Sequence, residues 1–500
     1  MAEENLEKTP LLVIGIAGRM GSGTSSVREK LFQTLLTFDY QVEIITISRT
    51  ILDINYDNII KSDSDKVDLA GKSPAEKRQE LQRRGNKLRS IDPSLITQIC
   101  VTDIIFPDTQ DKKLFEKATK TRRAYIFDSL KHPAEVEYLR EIFGDNFYLV
   151  GVVASDEKRK ERLKEIYDFT DESFENLDEI DAGQKNIESG QQSIKTILQS
   201  DYFFQNNYSK KNELNSEADR FFRLVFKINV ETPRQGEFGM CAAYNAAKRS
   251  GCLSRQVGAA IAGLDGSILA TGRNDVPQFG GGLYTCESPG GDKRCWTFGE
   301  KCYNDSKKRE IINSLVTQIA AEIPEIKAHQ AHVEKIIAHS PIGALIEFTR
   351  AVHAEMDAIV NIARRGIGGL VGSTLYCTTY PCHNCAKHVV DAGVTKVVYY
   401  EPYEKSRALE LHSDSVGDPK LPRQDGKLCI EMYVGTAPTR FDFFFNATKG
   451  SRKLDDGRIK DNDKERGRVY PENSMSKEVL RFKLETAVND ITPEKTVAEK

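Results

Sequence analysis

Residues 11–17 read LLVIGIA, an unbroken apolar run of strand length, and the glycine-rich segment after it gives way near Ser25 to an amphipathic pattern of helical period. The order predicted is strand, loop, helix. Two further strand-like runs, RAYIFDSL at 123–130 and FYLVGVVAS at 147–155, are separated by PAEVEYLREIF, which has helical spacing. That succession is a βαβ unit and implies a parallel sheet. The charge-rich stretch from 155 to 185 predicts solvated helices.

The character of the chain changes near Asn229. A helix rich in small residues is expected within VETPRQGEFGMCAAYNAAKRS, then two strands in VGAAIAGLDGSILATGRN around an Asp265-Gly266 hairpin. A glycine- and cysteine-rich insertion follows at 278–305, and then a long helical pattern at 306–328. Beyond about Thr448 the sequence is polar and turn-rich, as in a surface excursion or partial disorder. These shifts divide the chain into an α/β domain over 1–228, a second domain over 229–450 and a polar extension over 451–500.

A chain of 500 residues is long enough for two cores, and its 39% hydrophobic and 29% charged residues suit packed globular domains. The formal charge of -3 gives no overall basic field, which disfavours tight nonspecific binding to polyanions. The first apolar run is too short to span a bilayer and has no basic leader, so no membrane association and a cytoplasmic location are expected. Of the 10 cysteines only Cys100 precedes Cys241, and several of the rest fall at metal-like spacings. In a cytosolic chain that argues for zinc and free thiols over disulfides.

The chemistry is concentrated in AVHAEMDAIVNIARRG and in the later TLYCTTYPCHNCAKHVVDAG. His353, Cys382 and Cys385 supply one imidazole and two thiolates, filling three positions around a Zn2+ ion and leaving the fourth for water. Cys382 and Cys385, three apart behind Pro381 at an expected helix start, present both sulfurs to one face. The helix end and the metal both favour thiolate. Glu355, two residues past the histidine, is free to carry a proton rather than bind the metal. The joint pattern His-x-Glu and Pro-Cys-x-x-Cys is that of zinc nucleobase deaminases, in which activated water attacks the ring carbon bearing the amino group. His383 and His388 are read as bystanders. Cys286, Cys295 and Cys302 in the insertion are either a second, structural zinc set or reduced thiols.

Near the N-terminus, GRMGSGTS resembles a phosphate-binding loop, with Gly18, Gly21, Ser22, Gly23 and Ser25 available and Thr24 where a lysine is expected. Backbone amides and the helix start would cradle phosphate, but the charge that stabilises a transferring phosphoryl group is missing, so binding without efficient transfer is expected. Asp128, ending the apolar YIFD, stands where a metal-linked carboxylate would lie, and QRRGNKLR at 82–89 adds a basic patch.

Over roughly residues 235–440, the segments RQVGAAIAG, ATGRNDVP, VHAEMDAIVN, TLYCTTYPCHNCAKHVVDAGVTKVVYYEPY and ELHSDSV are similar to the deoxycytidylate branch of the cytidine and deoxycytidylate deaminase superfamily. The resemblance implies an α/β/α domain with a mixed five-stranded sheet, assembly into homo-oligomers, a sugar-hydroxyl contact at Asn274 and a phosphate contact at Arg255. Together with the P-loop kinase-like parallel-sheet domain before it, the whole chain resembles bacterial antiviral deoxycytidine nucleotide deaminases. That resemblance implies deamination of dCTP and dCMP, depletion of the nucleotide pool during phage infection, and inhibition by a small RNA encoded nearby.

Two other functions remain open from the residues alone. A deaminase acting on RNA or single-stranded DNA would want a basic, aromatic-lined groove, against which the single Trp296 and the near-neutral charge count. A nucleotide sensor would use the altered phosphate loop to bind a ligand and switch a partner.

Overall fold

The first apolar run forms β1 (Leu12–Gly18), all seven residues of which are buried. In this computed structural model the residues described are 10–53, 71–105, 121–167, 170–183, 190–207, 211–228, 230–403, 406–418, 424–447, 453–458, 475, 479–480 and 483. The chain falls into two compact units, one of Met1–Pro233 with Val434–Lys500 and the other of Arg234–Tyr433.

In the first unit β1 is followed by α1 (Thr24–Leu36), β2 (Gln41–Thr46), α2 (Pro74–Ile91), β3 (Arg123–Leu130), α3 (Pro133–Phe143), β4 (Phe147–Val153), α4 (Asp171–Ala182), β5 (Tyr202–Gln205) and α5 (Lys211–Val225). The five strands are parallel in the order β5-β4-β1-β3-β2, which puts β1 at the centre, where full burial matches its uninterrupted apolar sequence. One side of the core is dominated by aromatic rings, with Phe38, Tyr148, Tyr202, Phe204, Phe221 and Phe222 packed together.

Both α2 and α3 open on a capping box and a proline, which satisfies the first free amides. The QRRGNKLR patch lies inside α2 and is largely spent on internal pairing. Arg84 bonds to Glu80 at 2.9 Å, and Arg89 pairs with Glu135 of α3 at 2.7 Å, with both of the latter side chains buried. The expectation of solvated helices over 155–185 also needs correction, because Arg159, Asp178 and Asp181 are buried. Their charges are matched to one another and to nearby basic groups, which makes burial tolerable.

The second unit runs α6 (Gln235–Ala247), β6 (Gly258–Ala262), β7 (Ile268–Arg273), α7 (Tyr303–Glu322), α8 (Gln330–His339), α9 (Ala354–Arg365), β8 (Thr374–Thr379), α10 (His383–Asp391), β9 (Lys396–Glu401) and β10 (Cys429–Met432). Its sheet is mixed and five-stranded, β10-β9-β8-β6-β7, with β6 antiparallel to both neighbours and the others parallel. The β6–β7 hairpin turns at Gly266, whose φ of 82° suits glycine.

Two glycines set the layer spacing. A Cβ on Gly258 would overlap the backbone of α6 at Ala243 and Ala247, and one on Gly272 would overlap the backbone of α9 at Ala354 and Ala358. Gly272 pairs with Ala259, the residue next to Gly258, so the two glycines point to opposite faces of the sheet. One helix therefore presses against each face.

The sequence reading carries the second domain to residue 450. In the structure β11 (Gly435–Thr436) instead adds antiparallel to β5, and Phe444 enters the aromatic core of the first unit. The FDFFF run needs an apolar surface, and that core supplies it. Most of the polar extension lies outside the described residues. Among those residues no helix is long and apolar enough to cross a membrane.

Candidate metal and active site

Two helix starts converge in the second unit. His353 is the N-cap of α9, with an extended backbone (φ -72°, ψ 153°) and a carbonyl that accepts the first helical bond from Asp357 at 2.9 Å. Cys382 plays the same part for α10 (φ -70°, ψ 165°), its carbonyl accepting from Ala386 at 2.9 Å, while Cys385 sits in the first turn. A residue outside the helix and one three positions later thus point their sulfurs to one side.

The Nδ1 of His353 lies 3.4 Å from Cys382 Sγ and 3.3 Å from Cys385 Sγ. All three donor atoms lie within 4.8 Å of one another. A tetrahedral zinc with ordinary Zn–N and Zn–S bonds separates such atoms by about 3.6–3.8 Å, so the set fits zinc with only slight outward adjustment. The thiols also behave as a ligand pair. Hydrogen bonding from Cys385 and the adjacent imidazole pull the Cys382 thiol well below the ordinary cysteine range, while Cys385 is pushed up. A divalent cation binds both sulfurs as thiolates and displaces their protons. The residues present therefore fit a zinc ion, and zinc is the cofactor of this site.

Glu355, in the first turn of α9, is 4% exposed. Burial raises the pKa of its carboxyl above the ordinary glutamate value, and the neighbouring Cys382 thiolate adds to this. A carboxyl so placed exchanges a proton closer to neutrality than a solvated one. Position is fixed by the glycine contact described above and by Asp357, which accepts the backbone N–H of Arg273 on β7 at 3.0 Å.

These groups form part of the lining of a cavity of 540 Å³ that includes His353, Glu355 and Cys382. Asn274 and Arg255 also line it. The Asn274 side chain accepts from the Val257 N–H and donates to the Arg255 carbonyl, each at 2.7 Å, so it holds the 255–257 segment to the end of β7. One amide hydrogen and one lone pair remain for a ligand. Arg255 is half-exposed and ion-paired with Glu401.

Sequence reasoning missed the contribution of the segment from Asn304 to Thr349. Asn304, Lys308, Ile346 and Thr349 reach the same cavity, and Lys308 is its second cation, held by Asp305 at 2.9 Å. No periodic signal marks these positions; only a basic residue on a predicted helix that follows the insertion hinted at them. Val257, Leu345, Tyr380 and Tyr403 supply apolar wall. Among the described residues, His353, Cys382 and Cys385 are the one set of three ligand groups whose donor atoms lie within 4.8 Å of one another, and Cys286, Cys295 and Cys302 are not part of such a set. His383 and His388 stand outside the one set found.

In the first unit the residues of the glycine-rich segment form a turn between strand and helix. Gly18 ends β1, Gly21 and Gly23 adopt φ of 79° and 82°, Ser22 is buried, and Thr24 and Ser25 begin α1. Asp128, on the neighbouring β3, accepts from Arg28 of α1 at 2.7 Å, so its charge is met by a guanidinium.

Comparison with known proteins concentrates on the second unit. Residues 233–401 match the family model for the cytidine and deoxycytidylate deaminase zinc-binding region. Deoxycytidylate deaminase of Enterobacteria phage T4 is 30% identical over 33% of this chain and 77% of its own length. The Saccharomyces cerevisiae deoxycytidylate deaminase is 28% identical over 34% of this chain and 39% of its own. Among solved structures, apo dCMP deaminase from cyanophage S-TIM5 aligns at 22% identity over 40% of this chain and 99% of that one, with a TM-score of 0.22.

Proposed function

Because the chain belongs to the cytidine and deoxycytidylate deaminase family, we propose that it hydrolytically deaminates free deoxycytidine nucleotides, dCTP and dCMP, to the uracil nucleotides and ammonia. The observation that carries this reading is the convergence of His353, Cys382 and Cys385 beside a buried Glu355 in one cavity. Bound zinc supplies Lewis-acid activation of water at neutral pH.

Glu355 moves the protons. It accepts one from the attacking water, gives it to N3 of the pyrimidine as the C–O bond forms at C4, and assists proton transfer to the amino group, which leaves as ammonia when the C4–N bond breaks. Atoms balance as cytosine plus water giving uracil plus ammonia. Asn274 turns its remaining amide capacity to a sugar hydroxyl, and its backbone bonds hold it rigid for that task. Arg255 and Lys308 receive the phosphates, each exchanging its present carboxylate for the ligand.

The first unit is read as a phosphate-loop nucleotide-binding domain of kinase-like type. Its support is the glycine turn at the carboxyl end of central β1, where strand connections diverge to the two sides of a parallel sheet. The physiological part of the proposal is depletion of the deoxycytidine nucleotide pool in phage defence by a homo-oligomer restrained by a small RNA. Its support is the resemblance of the whole chain to bacterial antiviral deaminases.

The test is ammonia release by the zinc-loaded full chain from dCTP, dCMP, CTP, CMP, deoxycytidine and a cytosine-containing oligonucleotide. Turnover of the free deoxynucleotides well above the rest is expected. Preference for the oligonucleotide would move the function to polynucleotide editing, and no release from any would overturn it.

A further inference from the structure

The glycine turn of the first unit is clasped by side chains of the chain itself, and one of them is an acid. Asp181 of α4, 2% exposed, accepts the backbone N–H of Met20 at 2.9 Å through Oδ2 and pairs with Lys131 Nζ at 2.8 Å through Oδ1. Lys131 also donates to the Gly18 carbonyl at 2.6 Å. Burial alone would raise the Asp181 carboxyl, but the Lys131 ammonium and the Met20 N–H outweigh it and keep the group ionised. Three other donors hold the loop's carbonyls. Arg159 Nε reaches Met20 at 2.8 Å, and Arg162 Nη1 and Asn206 Nδ2 reach Ser22 at 3.1 and 3.0 Å.

Inside this clasp the Ser22 hydroxyl has no partner. Ser22 is 1% exposed, its hydroxyl is without a hydrogen bond, and it points across the loop to the place a Cβ on Gly18 would fill. A backbone N–H of a glycine turn, a buried hydroxyl and an ammonium are the donors a phosphoryl oxygen seeks at the start of a helix. Thr24 leaves the loop without its own lysine, and Lys131, arriving between β3 and α3, brings an ammonium to the same turn. A carboxylate that engages the N–H and the ammonium together does for them what a phosphate would do.

We propose that the turn is an oxyanion seat for the phosphate chain of a nucleotide, that Asp181 occupies it in the free protein, and that phosphate entry displaces Asp181 and withdraws α4 from the loop. This rests on the nucleotide-binding reading of the first unit and adds its regulation. Lys131 changes partner from carboxylate to phosphate and stays paired in both states, while Asp181 leaves the loop with α4.

The experiment is calorimetric titration of the full-length protein with inorganic tripolyphosphate, comparing wild type with Asp181→Asn, which keeps the size and removes the charge. At least tenfold tighter binding by the variant is expected, and Lys131→Ala introduced into it should abolish the gain. Equal or weaker binding by Asp181→Asn overturns the displacement while leaving nucleotide binding in place. Absence of binding to both proteins overturns the seat itself. Hydrogen exchange of wild-type α4 gives a readout that needs no variant: saturating tripolyphosphate should accelerate it at least tenfold, and unchanged exchange with ligand bound contradicts the proposal.

Discussion

The turn from β1 into α1 and the turns into α9 and α10 are built from like parts, a strand end or extended residue feeding a helix whose first amides and side chains face inward. In the first unit those donors and carbonyls are answered from within the chain, by Asp181, Lys131, Arg159, Arg162 and Asn206. In the second, three ligand atoms face one another beside a 540 Å³ cavity. The difference teaches that a helix start is open to a ligand at once only where its polar groups are left for an outside partner. Where the chain supplies the partner, the same device is held closed until that partner is displaced.

The contrast breaks most sharply at the metal ligands. Cys385→Ala removes one of three donors, and zinc per chain measured by atomic absorption should fall severalfold, with ammonia release lost along with it. Full zinc occupancy and activity in that variant would remove Cys385 from the site. The fastened unit should answer in stability instead. Arg89→Met leaves Glu135 buried without its guanidinium, which costs about 3–5 kcal/mol in denaturant unfolding followed across the chain.

A smaller effect probes how the open site is positioned. Gly272→Ala puts a methyl into the backbone of α9, and a loss of about 1–3 kcal/mol together with a lower kcat is expected, since α9 carries Glu355. Unchanged kinetics would separate that packing from the chemistry. Lys308→Ala should raise KM for dCMP about tenfold, equivalent to ~1.4 kcal/mol, and leave deoxycytidine turnover unchanged, because only the phosphate is lost from its reach. Equal effects on nucleotide and nucleoside would show Lys308 to be structural.

Much of both units was legible in the sequence for physical reasons. A strand buried on both faces must be apolar throughout, so β1, β3 and β4 stood out, and two thiols and an imidazole at helix-start spacing have few other uses. Charge was the poor guide. Asp178 and Asp181 sit in a run that reads as a solvated face, yet they are buried because Arg19 and Lys131 come from far away along the chain to meet them and Arg159 of the same run is itself buried against Asp178. Arg89 and Glu135 were hidden by the same separation. Lys308 depends on where the segment between the insertion and α9 folds back, and the FDFFF run reads as the end of one domain until the aromatic surface that receives it is known.

The central claim is that Glu355 carries the protons of a zinc-dependent hydrolysis in the second unit. It is tested most directly by Glu355→Gln, purified with one zinc per chain and assayed for ammonia release from dCMP beside wild type. A fall of about 10³-fold or more in kcat with zinc retained is the predicted result. Turnover within a few-fold of wild type at full zinc occupancy would contradict the account.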